Sequence, residues 1–195
     1  MLEEKIASFY DKIARDTAIS HEKRYQTSSE PIFLHTCCPA SLVKELKADE
    51  GLRAFARLPE REHQLLLSIA QQPENRLTLV YNASGNIVGQ VSLAPLGDRW
   101  EDIGNAYEIA VEVSSSWRKL GIAHHLLSFA LEFETVEEYV IVGLGLSWHW
   151  DYEGLGITPF RYREMIARLP IRTSIRQDTH APTFSAWHRP KYRLG

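Results

Sequence analysis

Cysteine is nearly missing: the 195 residues hold two, side by side at Cys37 and Cys38 in FLHTCCPASL. Vicinal cysteines close only a strained ring as a disulfide, and nothing nearby repeats the paired spacing of a zinc site; both facts argue against a disulfide framework and against a metal. The pair is expected to be reduced and structural, as in a reducing compartment. An excess of either charge is also missing. Twenty-five acidic against 22 basic residues give a formal net charge of -3, and the basic residues are scattered, which disfavours nucleic acid as a partner. No apolar run approaches the roughly 18 residues that cross a bilayer, and MLEEKIASFYDKIARD is too charged for a secretory signal. The expected setting is cytoplasmic, away from membranes. There is no internal repeat or low-complexity tract. What is present is the composition of one domain: 44% hydrophobic, 24% charged, 11 Gly and 9 Pro.

The residue pattern predicts the elements in turn. Leu2, Ile6, Phe9 and Ile13 make one apolar stripe of a helix, so residues 1–30 are set apart as an N-terminal helical extension that packs on the body or on a second copy, making a homodimer. Residues 31–195 form the domain. EPIFLHT reads as a short strand, PASLVKELKAD as a helix stopping at Gly51, and PEREHQLLLSIAQQP as a second helix with Pro59 at its first position. RLTLVYNASGNIVGQVSLAPL is a hairpin turning between Asn82 and Asn86. AYEIAVEVS alternates, with Tyr107, Ile109, Val111 and Val113 on one side and Glu108, Ala110 and Glu112 on the other. GIAHHLLSFALEF is an amphipathic helix, EYVIVGLGL a buried strand, TPFRYREMIARL a helix, and the C-terminal stretch two further strands. The fold class is α+β, an α/β layered domain on one mixed sheet with helices on both faces.

Chemistry concentrates in VEVSSSWRKLGIAHHLLSFAL, where a strand gives way to a polar turn and the turn to a helix. The first N–H groups of a helix have no internal partner and sit at its positive end, so the turn is a ready anion site. Gly121 admits a ligand close to the backbone, and Arg118 and Lys119 add charge. Trp117 is expected to brace the turn, and His124 and His125 to face solvent.

Arg118-Lys119-Leu120-Gly121-Ile122-Ala123 resembles the Arg/Gln-x-x-Gly-x-Gly/Ala pyrophosphate signature of the Gcn5-related N-acetyltransferases, the GNAT superfamily, and lies between a strand and a helix as that signature requires. The resemblance implies acetyl-CoA as co-substrate. The N–H groups of Arg118, Lys119, Leu120, Gly121, Ile122 and Ala123 would hold its pyrophosphate, and the main chain of Val111 and Val113 its pantetheine arm. It also implies that the family's fourth and fifth strands part to admit the cofactor. Ala123 stands where Gly is commoner, and SSS where a proline-containing turn is usual. WHWD..G.G.....YR.M and the stretch from residue 52 onward resemble, more narrowly, the bacterial acetoin-utilisation protein lysine acetyltransferases. That likeness implies acetylation and regulation of acetyl-CoA synthetase. A small-molecule amine acetyltransferase and a non-catalytic acyl-CoA-binding regulatory module are the alternatives.

A lysine with pKa near 10.4 is protonated at neutral pH, so transfer needs a base. The strand offers Glu108 and Glu112; the superfamily habit of a glutamate on this strand favours Glu108. The leaving thiolate needs a proton, and the family's tyrosine at the start of the following helix corresponds to Tyr162, with Tyr152 in reserve. Trp148-His149-Trp150-Asp151 follows the next strand. In extended chain Trp148 and Trp150 share one face and His149 and Asp151 the other. Lining of the acceptor passage by the tryptophans, a base or positioning role for His149 oriented by Asp151, and a purely structural corner are all open. No metal is expected.

Overall fold

The computed structural model describes residues 20–56, 58–96, 106–132, 139–143, 152 and 155–167. The N-terminal helix, the Trp148–Asp151 motif and the two C-terminal strands expected from the sequence lie outside the described residues.

Seven strands form one mixed sheet: β1 Glu22–Gln26, β2 Pro31–His35, β3 Lys47–Ala48, β4 Arg76–Asn82, β5 Asn86–Pro95, β6 Ala106–Val113 and β7 Val140–Gly143. Their order is β1-β2-β4-β5-β6-β7, with β3 beside β5. All neighbours along the main path are antiparallel except β6 and β7, which run parallel; β3 is also parallel to β5. The helices are α1 Ala40–Glu45, α2 Pro59–Ala70, α3 Ile122–Ala130 and α4 Pro159–Ala167. The layered α+β class expected from the sequence is the fold observed.

The hairpin forms as its residues dictate. Asn82 Oδ1 accepts from the N–H of Ser84 at 3.1 Å and of Asn86 at 2.9 Å, and Gly85 takes φ +79. An Asx turn with a left-handed glycine closes the strands. Pro59 stands at the start of α2 as anticipated. Two cores result. Val80, Val88, Val91, Tyr107 and Ile109 pack under α3, while Leu77, Leu79 and Ile87 pack with Val43, Leu52 and Leu66 beneath α1 and α2.

Two local departures follow from backbone pairing. The helix expected to run to Gly51 ends at Glu45, because Leu46 turns extended and the next residues pair instead: Lys47 N–H with Gly85 O at 3.0 Å and Asp49 N–H with Ile87 O at 3.0 Å. A two-residue strand replaces the last helical turn. The second is β1, whose residues EKRYQ are almost all exposed and show no apolar alternation. It is an edge strand, held by backbone bonds to β2 rather than by burial.

One bulge redirects the sheet. Between β4 and β5 the register jumps from Val80↔Gly89 to Tyr81↔Ile87, leaving Val88 as the extra residue. Val88 and Val91 therefore face the same core, and Gln90 pairs with Leu79, a residue of the core beneath α1 and α2.

Candidate active site

β6 carries the alternation expected of it. Tyr107, Ile109, Val111 and Val113 pack toward α3, and its pairing with β5 runs from Tyr107↔Pro95 to Val113↔Gly89 without a register shift. No bulge resets the parity, so Glu108 and Glu112 share the opposite face. Described pairing with β7 stops at Ile109↔Gly143, and β6 continues to Val113. Glu108 is half-buried and paired opposite Val142 of β7.

Past Val113, Ser114 N–H bonds Val88 O at 2.8 Å and a single 3₁₀ turn spans Ser115–Trp117. Lys119 then takes φ +66 and Gly121 φ +75, and α3 begins. Two left-handed residues around Leu120 curl the main chain. A left-handed conformation costs a non-glycine residue about 1–2 kcal/mol, which Lys119 bears in an exposed turn. Gly121 is the N-cap and gives no side-chain cap; the first turn of α3 holds no acidic residue. His124 and His125 N–H both bond Gly121 O, at 3.0 and 3.3 Å, so the N–H groups of Ile122 and Ala123 precede the first intrahelical bonds. A Cβ built on Gly121 meets nothing within 4 Å. An uncapped helix start, open in front and flanked by Arg118 and Lys119, suits a pyrophosphate.

The neighbours of this turn are braced from within. Trp117 and Leu120 pack on the α3 core, and Arg118 Nε reaches Val113 O at 3.4 Å. The histidines behave differently from each other. His124 is exposed as anticipated, but His125 is half-buried with its ring 4.6 Å from that of Tyr25. Tyr25 belongs to β1, the strand that the residue pattern did not announce, and its ring covers His125, which was expected to face solvent. β1 also lays Lys23 Nζ over the Phe129 ring at 4.4 Å, within 2.5 Å of Glu132 Oε2.

On the other face, Glu112 is part of a carboxylate bracket around the loop from Asp49 to Ala56. Its Oε1 accepts from the N–H of Arg53 at 2.7 Å and of Ala54 at 2.8 Å. Glu62, on α2 and wholly buried, accepts from the N–H of Ala56 at 2.8 Å through Oε2. Asp49 Oδ1 accepts from Gly51 N–H at 2.9 Å and from Ser114 Oγ at 2.5 Å. Ser115 N–H returns a bond to Gly51 O at 3.3 Å. Gly51 is required there, since a Cβ would fall 2.2 Å from Ser114 Oγ and 2.8 Å from Ser115 N. The Ser114-Ser115-Ser116 turn thus holds the loop as well as leading toward α3.

Burial pushes the Glu112 carboxyl up to about 7. The Ala54 N–H opposes this, the neighbouring Glu62 carboxylate adds to it, and the Arg53 N–H opposes it. Glu62 and Asp49 were not singled out from the sequence. For Glu62 a signal existed: it lies four residues before Leu66, on the buried stripe of α2.

Tyr162 is half-buried in the first turn of α4, its N–H bonded to Thr158 O at 2.9 Å, and Tyr152 O accepts from Ile157 N–H at 3.0 Å. Trp148, His149, Trp150 and Asp151 lie outside the described residues. Cys37 and Cys38 are buried thiols, Cys38 pushed far above the ordinary thiol range by burial. Among the described residues no group of three or more His, Cys, Asp or Glu could hold a metal ion, and no helix is long and apolar enough to cross a membrane.

Comparison with known proteins bears on this geometry directly. The family model described as Acetyltransferase (GNAT) family matches residues 41–142, from α1 into β7. The acetoin utilization protein AcuA of Bacillus subtilis is 30% identical over 166 residues, covering 77% of this chain and 76% of that protein. AcuA of Bacillus licheniformis is 28% identical over 155 residues, covering 76% and 72%. A crystal structure of the acetoin utilization protein from Exiguobacterium sibiricum superposes with a TM-score of 0.69 at 26% identity, covering 77% of this chain and 73% of that one.

Proposed function

The chain belongs to the acetyltransferase (GNAT) family and is an N-acetyltransferase, and from that membership we propose that it moves the acetyl group of acetyl-CoA onto a lysine of a protein, acetyl-CoA synthetase. The observation that carries the cofactor half is the start of α3: uncapped, free of acid in its first turn, entered through left-handed Lys119 and Gly121, and open where a ligand would lie. The N–H groups of Arg118 to Ala123 take the pyrophosphate. The main chain of Val111 and Val113, past the last described β6–β7 pair, takes the pantetheine arm. The lysine half is supported by likeness to the acetoin utilization proteins.

Acetyl-CoA supplies the activated acyl group. The amine must lose a proton before or as it attacks the thioester carbon, because its ammonium form has no lone pair. Glu108 serves as base: it lies on β6 opposite Val142 of β7 and is only half-buried. Glu112 is the less suitable of the two, since its Oε1 is engaged by two backbone N–H groups and its Oε2 is buried. As the C–S bond breaks, the thiolate takes a proton from the Tyr162 hydroxyl. Trp148 and Trp150 line the acceptor passage, with His149 oriented by Asp151.

The test is incubation with acetyl-CoA and acetyl-CoA synthetase from the same organism, followed by mass mapping of acetyl-lysine. Glu108→Gln is expected to lower kcat by about 10²–10⁴, the range for loss of a general base, with acetyl-CoA affinity intact. An untouched synthetase beside an acetylated polyamine would replace the protein acceptor with a small amine. Full activity in the Glu108 variant would remove it as base.

A further inference from the structure

The edge strand β1 touches α3 near both of its ends. Alternation along the strand sets Lys23 and Tyr25 on one face and Arg24 on the other. Lys23 and Tyr25 pair with Leu34 and Ile32 of β2, both in the core under α3, whereas Arg24 pairs with Phe33 and lays its guanidinium over that ring at 5.8 Å. The helix presents His125 and Phe129, four residues apart and so on one stripe, with Glu132 just past its end. The Tyr25 and His125 rings lie 4.6 Å apart between centroids, tilted by 33°. Lys23 Nζ sits 4.4 Å from the centre of the Phe129 ring and 2.5 Å from Glu132 Oε2.

The two contacts fall on unequal parts of the helix. Phe129 is 4% exposed, so Lys23 fastens a turn that burial already holds. Tyr25 meets the first turn instead. There Gly121 O accepts from both His124 N–H and His125 N–H, the bonds that close the turn. The start of a helix frays easily, because its leading N–H groups have no partner within the helix. Buried Ile122 anchors this turn from the core side, and the half-buried ring pair of Tyr25 and His125 anchors it from the side of β1.

We propose that Tyr25 is a positioning residue for the cofactor: by packing on His125 it fixes the first turn of α3, so that the N–H groups of Ile122 and Ala123 are set for the pyrophosphate of acetyl-CoA before it arrives. This rests on the acetyltransferase reading above. A turn ordered in advance spares the incoming cofactor the loss of conformational freedom that ordering it would cost. Tyr25 acts through His125, and an aromatic pair of this kind shifts an equilibrium about two- to tenfold.

The test uses the full chain and coenzyme A, so that binding is read without turnover and without an acceptor. Tyr25→Ala is expected to raise the Kd of coenzyme A in calorimetry about three- to tenfold, while Tyr25→Phe, which keeps the ring, holds it within about twofold. Lys23→Met removes the contacts with Phe129 and Glu132 and should also leave Kd within about twofold; it separates the setting of the first turn from a general loosening of β1. Amide exchange at His125, measured without coenzyme A, should quicken at least about threefold in the alanine variant and keep the wild-type rate in the phenylalanine variant. Unchanged affinity in Tyr25→Ala would overturn the proposal, and so would an equal loss of affinity in Lys23→Met. Wild-type protein that takes up no coenzyme A would overturn the acetyltransferase reading itself, and this inference with it. Should Tyr25→Ala fail to fold, Tyr25→Leu takes its place, keeping apolar bulk without the ring.

Discussion

Glu112→Gln isolates the energetic consequence of burying a carboxyl that keeps its proton. The carboxyl is pushed from 4.5 up to about 7 in the fold, chiefly by burial. In the unfolded chain it gives up its proton near the ordinary value, so between those limits the folded state binds more protons and stability falls as pH rises. The contribution is full below pH 4.5 and is lost by the time pH has passed through about 7. At about 1.4 kcal/mol per decade of proton affinity, the displacement corresponds to about 3 kcal/mol. Glutamine keeps an oxygen for the N–H groups of Arg53 and Ala54 and cannot ionise, so this slope should vanish from the variant. Urea unfolding followed by tryptophan fluorescence at pH 5, 6, 7 and 8, on wild type and variant, measures it. The stability difference between the two should move toward the variant by about 2–3 kcal/mol across that range. His35, pushed below its ordinary value by burial against the opposing effect of Glu22, acts in the reverse sense and loses stability as pH falls. It is common to both proteins and cancels in the difference. A difference flat to within about 0.5 kcal/mol would refute the burial argument.

Three further substitutions probe separate parts of the site. Gly121→Ala places a side chain at φ +75 in open space; it should cost about 1 kcal/mol in unfolding free energy and raise acetyl-CoA Kd in calorimetry, and unchanged binding would argue against close approach of the ligand there. Gly51→Ala drives a Cβ into Ser114 and Ser115, so a loss of about 1–3 kcal/mol is expected by urea unfolding; wild-type stability would show that the loop yields freely. His149→Ala is expected to lose acetyl transfer while melting temperature and acetyl-CoA affinity hold. A large drop in melting temperature would instead mark a structural corner.

What the sequence disclosed depended on whether the signal was local. The hairpin, the alternation of β6 and the turn into α3 are written in consecutive residues, and each appears where those residues place it. β1 was hidden because EKRYQ buries almost nothing; its reason for being a strand is the edge of β2, 5 residues further on and silent about its partner. β3 was hidden for a related reason. Lys47 and Ala48 suit a helix, and only the carbonyls of Gly85 and Ile87, brought near by the hairpin, make extension favourable by taking the amides of Lys47 and Asp49. The parity of Glu108 and Glu112 was legible, but their difference was not. Both read as acids on a polar face, and what separates them is the loop and helix above: Glu112 is covered by Arg53, Ala54 and Glu62, while Glu108 is left half-buried.

The same contrast bears on how one strand serves two tasks. A base must release and accept a proton at each turnover, which requires an acid that solvent or substrate reaches. A clamp must hold its hydrogen bonds through many turnovers, which requires one that they do not. Glu108, the base proposed above, and Glu112 lie four residues apart on one face of β6, and the loop bonds Glu112 while Glu108 is left half-buried. The serine turn extends the division: Ser114 and Ser115 bond back to Asp49 and Gly51, whereas left-handed Lys119 and Gly121 lead on into α3. A change at Gly51 should therefore be felt in the serine turn as well as in the loop.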